Sequence, residues 1–249
     1  MQLNNRSFVT SIPPVTMHLL IINVLMWLAT AAFQQAGIID LNQLLGLHFW
    51  QGSDFKIWQF VTYMFMHGGF THLFVNMFSL WMFGGLLERV MGEKRYLFYY
   101  LACGIGGAIA QELVWQLSWQ SVLADSVSGP AAGSVSEIIE AINSGHAAFT
   151  MNDFYNSMVT VGASGSVFGI LLAFGMLFPD MPMYIIPIPF PIKAKWMVIG
   201  YGVLELLFGV TGTMSSVAHF AHLGGMVAGI VLILYWKHNG TLRRGYGLY

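Results

Sequence analysis

The chain has 249 residues, of which 56% are hydrophobic and only 8% are charged, and its mean hydropathy is +0.65. Soluble domains carry about 25% charged residues, so this composition excludes an ordinary cytosolic enzyme. The net charge of −1 excludes nucleic acid as a partner, because phosphate recognition needs clustered Lys and Arg. Cys103 is the only cysteine, which excludes an intrachain disulfide and a multi-cysteine metal site.

Six long apolar stretches predict an all-α polytopic membrane protein, because a helix of about 20 apolar residues satisfies its own backbone in lipid. The predicted spans are Met17–Phe33, Trp58–Phe83, Tyr96–Leu117, Val161–Phe178, Trp196–Val210 and Val217–Trp236. The first stretch could instead be a signal peptide, since Ala29-Thr30-Ala31 resembles a cleavage site. Its apolar run is longer than the usual 7 to 15 residues, roughly, which favours a span.

The placement of Lys and Arg predicts that both termini are cytoplasmic. In that orientation Lys56 is the one external positive charge, and the other nine are cytoplasmic. The predicted organisation is a cytoplasmic segment 1–16, a six-helix core 17–236 and a cytoplasmic tail 237–249. The expected external connections are 34–57, 118–160 and 211–216.

The connection 118–160 is long and Ser-rich, and it contains no Lys or Arg. Ser134 and Glu137 have the spacing of a capping box, and Gly145 is placed to end the short helix that follows. Ile138 and Ile142 share one face of that helix. We therefore expect a surface helix that rests on the bundle or the lipid headgroups, rather than a lid over an active site.

Polar side chains inside three of the spans are candidates for function, because an unpaired polar group in lipid costs several kcal/mol, roughly. The second span contains His67, His72 and Asn76, of which the last two share a helical face. Ser164 stands near the start of the fourth span and His222 near the start of the sixth. All three spans run inward from the external side, so these polar groups reach a similar depth.

Glycines on the fourth and sixth spans predict that those two helices pack closely. Gly165 and Gly169 form one G-x-x-x-G pattern, and Gly225 and Gly229 form another. Small residues at this spacing let helix backbones approach each other. A hydrogen bond between Ser164 and His222 requires such an approach, because both side chains are short.

These residues resemble the rhomboid family of intramembrane serine proteases. The resemblance covers the six-span core, in the patterns H-x-x-x-x-H-x-x-x-N (67–76), G-x-S-G (162–165) and A-H-x-x-G-x-x-x-G (221–229). Residues 88–95 look like the E-x-x-x-G-x-x-R element that follows the second span. One departure is Trp58-Gln59, where many family members have Trp-Arg. The loop before it contains apolar and aromatic residues that could dip into the membrane interface, namely Leu47, Phe49, Trp50 and Phe55.

The chemistry expected from Ser164 and His222 is peptide-bond hydrolysis. A serine hydroxyl is a poor nucleophile at neutral pH and needs a neutral imidazole to take its proton. We predict a Ser–His dyad, because no acid lies near His222 in sequence and Glu205 is expected to lie well below it. His219 stands one turn before His222, and we expect it to lie near solvent.

The resemblance implies roles for the neighbouring residues. The Asn76 amide, the His72 imidazole and the backbone N–H of Ser164 would stabilise the oxyanion. His67 would shape the entry of its loop, and Phe168 would pack against the His222 ring, although spacing alone equally allows a lipid-facing or core aromatic. The supporting glycines of the serine motif are Gly162 and Gly165.

The implied substrates are single-pass membrane proteins that arrive laterally in the bilayer and are cut near its outer face, in a cell membrane of bacterial type. No cofactor is implied, and a metal site formed by His219, His222 and His72 is disfavoured because no carboxylate or thiolate joins them. Two alternatives remain at this point. One is a catalytically silent rhomboid-like protein that binds membrane segments, and the other is a transporter with Ser164, His222 and Glu205 along a polar path.

Overall fold

The structure, a computed structural model, describes residues 12–127, 134–184, 189–212 and 218–242. Five helices in these ranges are long and apolar enough to cross a membrane. They are Pro14–Gln35, Phe70–Met91, Glu93–Val127, Ala194–Thr211 and His219–His238. The predicted all-α polytopic bundle is confirmed. Parts of the predicted cytoplasmic ends and of the connection 211–216 lie outside the described residues, together with Arg6, Val217, Arg243 and Arg244.

The elements follow one another in the order α1 (Pro14–Gln35), α2 (Leu41–Leu45), β1 (Leu47–His48), α3 (Gln59–Thr62), a 3₁₀ turn (Tyr63–Phe65), α4 (Phe70–Ser79), a π-helical turn (Leu80–Gly84), α5 (Gly85–Met91), α6 (Glu93–Val127), α7 (Val135–Asn143), α8 (Met151–Ser157), β2 (Val159–Thr160), α9 (Ser164–Leu177), β3 (Pro182–Met183), β4 (Ile192–Lys193), α10 (Ala194–Thr211) and α11 (His219–His238). The strands pair antiparallel, β1 with β2 and β3 with β4. The first pair ties the loop after α1 to the chain that enters α9.

The second predicted span is displaced along the chain. Its first residues form α3 and the 3₁₀ turn, and the backbone is extended at Met66 before α4 begins at Phe70. From there α4, the π-helical turn and α5 run on to Met91. Because apolar residues lie on both sides of Gly68 and Gly69, the hydrophobicity of the sequence does not reveal this break in the helix.

The helix that contains the third predicted span extends beyond that span into the predicted external insertion. Helix α6 continues to Val127 and is about 52 Å long at 1.5 Å per residue. Its last turns hold the insertion through a small apolar cluster, whose fully or nearly buried members are Phe49, Leu123, Ile138, Ile142, Phe154 and Met158. The capping box of Ser134 and Glu137 is present at the start of α7.

Helix α9 occupies the centre of the bundle. Its 14 residues span about 21 Å, which is shorter than the hydrocarbon core of about 30 Å. Most of its side chains from Gly165 to Leu177 are buried, and it packs against α6, α10 and α11. A helix enclosed by other helices need not reach both membrane surfaces, so its length suits its position.

Glycine contacts bring α6, α9 and α11 together. A β-carbon on Gly225 of α11 would overlap the carbonyl oxygen of Gly165 on α9. On the other side of α11, a β-carbon on Gly224 would lie 2.6 Å from the carbonyl oxygen of Gly106 on α6. The predicted close approach of the fourth and sixth spans is confirmed, and α6 joins them through Gly106, which lies against Gly224.

The carboxylate of Glu88, a residue of α5, binds the N-terminus of α1. It accepts hydrogen bonds from the backbone N–H groups of Val15 and Thr16 at 2.9 and 2.7 Å, and from the Thr16 hydroxyl at 2.7 Å. A negative charge at a helix N-terminus is favourable, because the unpaired N–H groups there carry partial positive charge.

Candidate active site

Ser164 is the first residue of α9, and it is half-buried. The preceding turn is shaped by Gly162, which has φ +135° and donates its N–H to the carbonyl oxygen of Tyr63 at 2.9 Å. A β-carbon on Gly162 would lie 2.7 Å from Nε2 of His72 and 3.5 Å from Oγ of Ser164. The serine motif needs glycine here both for its backbone conformation and to let the His72 ring lie close to Ser164.

His222 lies in the first turn of α11 and is buried. The Phe168 ring, one turn after Ser164, stacks on it with centroids 4.2 Å apart and planes 6° from parallel. This is the packing that the resemblance implied. A β-carbon on Gly165 would lie 3.3 Å from the carbonyl oxygen of Ala221, so the first turns of α9 and α11 are in contact.

The first turns of α9 and α11 therefore bring Ser164 and His222 to the same helix–helix contact, but no hydrogen bond joins their side chains among the described residues. Catalytic hydrogen bonds are often long without substrate and tighten when it binds. The arrangement places a hydroxyl and an imidazole on two helices held together by glycines.

His72 and Asn76 lie on one face of α4, as their spacing predicted. Asn76 is only 4% exposed, and its side-chain nitrogen makes no hydrogen bond within the described part of the chain. The His67 ring lies in the break before α4 and meets the His72 ring edge to face, with centroids 5.1 Å apart. A buried amide donor with no protein partner is the kind of group that an oxyanion would satisfy.

The positions predicted for Glu205 and His219 are wrong. Oε2 of Glu205 lies 2.9 Å from Nδ1 of His222 and 2.7 Å from Nδ1 of His219. His219 is buried at 5% exposure instead of facing solvent. A carboxylate therefore contacts both histidines. The predicted dyad and the argument against a metal site both assumed that no acid lies next to His222.

These three side chains could also hold a metal ion, since one ligand atom from each lies within 4.8 Å of the others. Two histidines and a glutamate are a ligand set that zinc accepts. In the structure the two N···O distances, 2.7 and 2.9 Å, are those of ordinary hydrogen bonds.

The family model that matches this sequence is the Rhomboid domain, over residues 54–238. The chain belongs to the rhomboid family. The match begins just before Trp58 and ends at the last residue of α11, so it contains the serine and histidine motifs described above.

Three rhomboid relatives illustrate the range of the similarity. Rhomboid-like protein 11, chloroplastic, from Arabidopsis thaliana is 26% identical over 237 residues, which are 86% of this chain and 62% of that protein. Putative rhomboid protease YdcA from Bacillus subtilis is 28% identical over 119 residues, 48% of this chain and 59% of that protein. Rhomboid protease GluP from Bacillus subtilis is 43% identical over 53 residues, 21% of this chain and 10% of that protein.

The matched regions cover less than two thirds of the length of these relatives. Other rhomboid relatives include a mitochondrial protein of Saccharomyces cerevisiae. Relatives from plant organelles, mitochondria and bacteria do not single out a bacterial cell membrane for this chain. A multi-pass integral membrane protein is what the family and the five long apolar helices support together.

Gln59 stands where many rhomboid proteins have arginine, and it organises the loop before α3. Its side-chain oxygen accepts from the backbone N–H of Lys56 at 3.0 Å and of His48 at 3.3 Å. Its side-chain nitrogen donates to the carbonyl oxygens of Asp54 at 3.0 Å and Leu44 at 3.4 Å. A buried glutamine thus supports this loop through an amide that both donates and accepts.

Proposed function

We propose that this rhomboid protein is an intramembrane serine endopeptidase in which Ser164 is the nucleophile and His222 the general base. The observation that carries the proposal is the contact between the first turns of α9 and α11, in which Phe168, one turn after Ser164, stacks on the His222 ring. Packing alone does not require a hydroxyl and an imidazole at the same glycine-lined contact between two helices.

In the proposed reaction, Nε2 of His222 takes the proton of Ser164 as the serine oxygen attacks the scissile carbonyl carbon. The same ring then gives the proton to the leaving amine, and water hydrolyses the acyl-enzyme by the reverse exchange. The oxyanion of each tetrahedral intermediate would accept hydrogen bonds from the Asn76 side chain, the His72 ring and the backbone N–H of Ser164.

The proposed substrates are single-pass membrane proteins, cut near the outer face of the bilayer. A helical substrate must unwind there, because its carbonyl groups are hydrogen-bonded and shielded from attack. We also propose the orientation with both termini cytoplasmic, in which Ser164 and His222 lie near the external surface where water can reach them.

The proposal is tested by incubating the reconstituted full chain with a panel of single-span substrates. Ser164→Ala and His222→Ala should each abolish cleavage while the variants remain folded. Ser166→Ala is the matched serine control, because its hydroxyl points to the carbonyl oxygen of Tyr100 at 2.8 Å. His238→Ala, at the far end of α11, is the matched histidine control.

Both controls should retain cleavage. Unaltered cleavage in either Ser164→Ala or His222→Ala would refute the assignment of the nucleophile and base. Substrate binding by the unmodified chain without any cleavage would favour the silent binding protein, and ion flux that survives Ser164→Ala would favour the transporter.

A further inference from the structure

Glu205 is the acid in contact with the proposed base, and it reaches that base from a different helix. One carboxylate oxygen, Oε2, accepts from both His222 and His219 at hydrogen-bond distance. The side chains are little exposed, at 9% for His222, 5% for His219 and 14% for Glu205. In a site with this little water, such hydrogen bonds are stronger than in bulk solvent.

The contact decides which nitrogen of His222 carries the proton. A neutral imidazole has one N–H donor and one acceptor nitrogen, and a carboxylate can only accept. Because Nδ1 faces the carboxylate, the proton is placed on Nδ1 and the lone pair on Nε2. The lone pair is what a general base needs to take a proton from Ser164.

The second histidine holds the carboxylate in place. Nδ1 of His219 meets the same oxygen at 2.7 Å, so the Glu205 side chain is fixed by two donors from one turn of α11. The backbones of the two helices are close here, since a β-carbon on Gly209 of α10 would lie 3.3 Å from Cβ of His219. The Phe168 ring from α9 also stacks on the His222 ring.

We propose that Glu205 is a positioning residue, which fixes His222 as the Nδ1–H tautomer and stabilises the ring when it becomes protonated. This inference rests on the proposed function, and it replaces the expected dyad by a Ser–His pair supported by a carboxylate. His219 acts one step further away, by orienting that carboxylate.

The first test separates kcat from KM. Glu205→Gln keeps the size of the side chain and removes its charge, and we expect kcat to fall on the order of 10²-fold or more with little change in KM, as for other carboxylates that orient a catalytic histidine. Glu205→Asp keeps the charge and should recover part of that loss. Glu112→Gln is the matched control, because Glu112 lies on α6 and accepts from the N–H of Trp50 at 3.0 Å instead.

The second test needs no activity. Nitrogen-15 spectra of histidine-labelled protein should show His222 with a protonated Nδ1 and an unprotonated Nε2, assigned by comparison with His222→Ala and His219→Ala. Glu205→Gln should convert that signal into a mixture of tautomers, and Glu112→Gln should leave it unchanged.

The outcomes distinguish this inference from the proposed function. If the unmodified chain cleaves substrate in a Ser164-dependent way and Glu205→Gln changes neither kcat nor the spectrum, the inference is overturned and the protease proposal stands. If the unmodified chain does not cleave any substrate, the protease proposal fails, and the spectrum alone decides the role of Glu205. Loss of activity with a chelator, restored by Zn²⁺, would overturn the inference in favour of a metal held by these side chains.

Discussion

The side chain of Asn76 combines two properties that seldom occur together in a folded protein. It is buried, and its nitrogen has no hydrogen-bond partner among the described residues. An unpaired buried donor costs about 1 to 3 kcal/mol, so a residue that only packs would be better replaced by an apolar one. A donor that meets its partner only during the reaction stabilises the transition state more than the resting protein.

We therefore expect Asn76→Ala to slow cleavage without unfolding the protein. Loss of one oxyanion donor lowers kcat by about 10² to 10³, or about 2.7 to 4 kcal/mol, and KM should change little. Steady-state kinetics with one substrate and a thermal melt of each variant measure the two effects. Asn23→Ala is the matched control, since that amide donates to Leu19 in its own helix at 2.7 Å. A fall in thermal stability that accounts for the lost activity would contradict the role.

At the scale of helices, glycine positions control how closely α9 and α11 pack. Gly225→Ala places a methyl group against the carbonyl oxygen of Gly165, and overpacking of this kind costs about 1 to 3 kcal/mol. We expect a lower thermal midpoint and reduced cleavage, because the helices that carry Ser164 and His222 must move apart.

The control for this change is Gly200→Ala on α10, where an added β-carbon has nothing within 4 Å. Alanine favours a helix interior over glycine by about 0.5 to 1 kcal/mol, so this variant should be as stable as the parent or slightly more so. Equal melting temperatures for Gly225→Ala and Gly200→Ala would show that the α9–α11 contact has little effect on stability.

The sequence predicts those parts of the site that are local. Residues 67–76, 162–165 and 221–229 are short motifs, and the structure brings the first turns of their helices together through the predicted glycines. The predicted depth of Glu205 is wrong, because an apolar stretch alone does not show where its helix ends. Counted from Thr211, Glu205 lies about 9 Å from the end of α10, and its side chain reaches His222, which lies about 4.5 Å from the start of α11.

The same limit explains the wrong helix ends. The break at Met66–Gly69 lies inside an apolar run, and hydrophobicity alone does not show where such a run stops being helical. The extension of α6 to Val127 depends on Leu123 packing with residues of the insertion that are distant in sequence. Tertiary contacts of this kind leave no local pattern to read.

The two ends of the whole molecule differ in chemistry. Ser164 stands at the start of α9, and beyond the other end of that helix Lys193 and Lys195 pair with Asp180 at 3.1 and 2.9 Å. These pairs are exposed, so they add little stability. A surface pocket of about 950 Å³ is lined by Glu88 and the start of α1, and Ser164 is not part of its lining.

That difference makes the proposed orientation testable with single cysteines. Cys103 is fully buried, so a membrane-impermeant maleimide should leave the unmodified chain unlabelled, which serves as the control. Ser144→Cys, in the turn after α7, should be labelled in intact spheroplasts of an expression host. Lys193→Cys, in β4, should be labelled only after the membrane is opened, because positively charged segments resist translocation. Labelling of Lys193→Cys from outside, with Ser144→Cys protected, would reverse the orientation and move Ser164 to the cytoplasmic half of the bilayer.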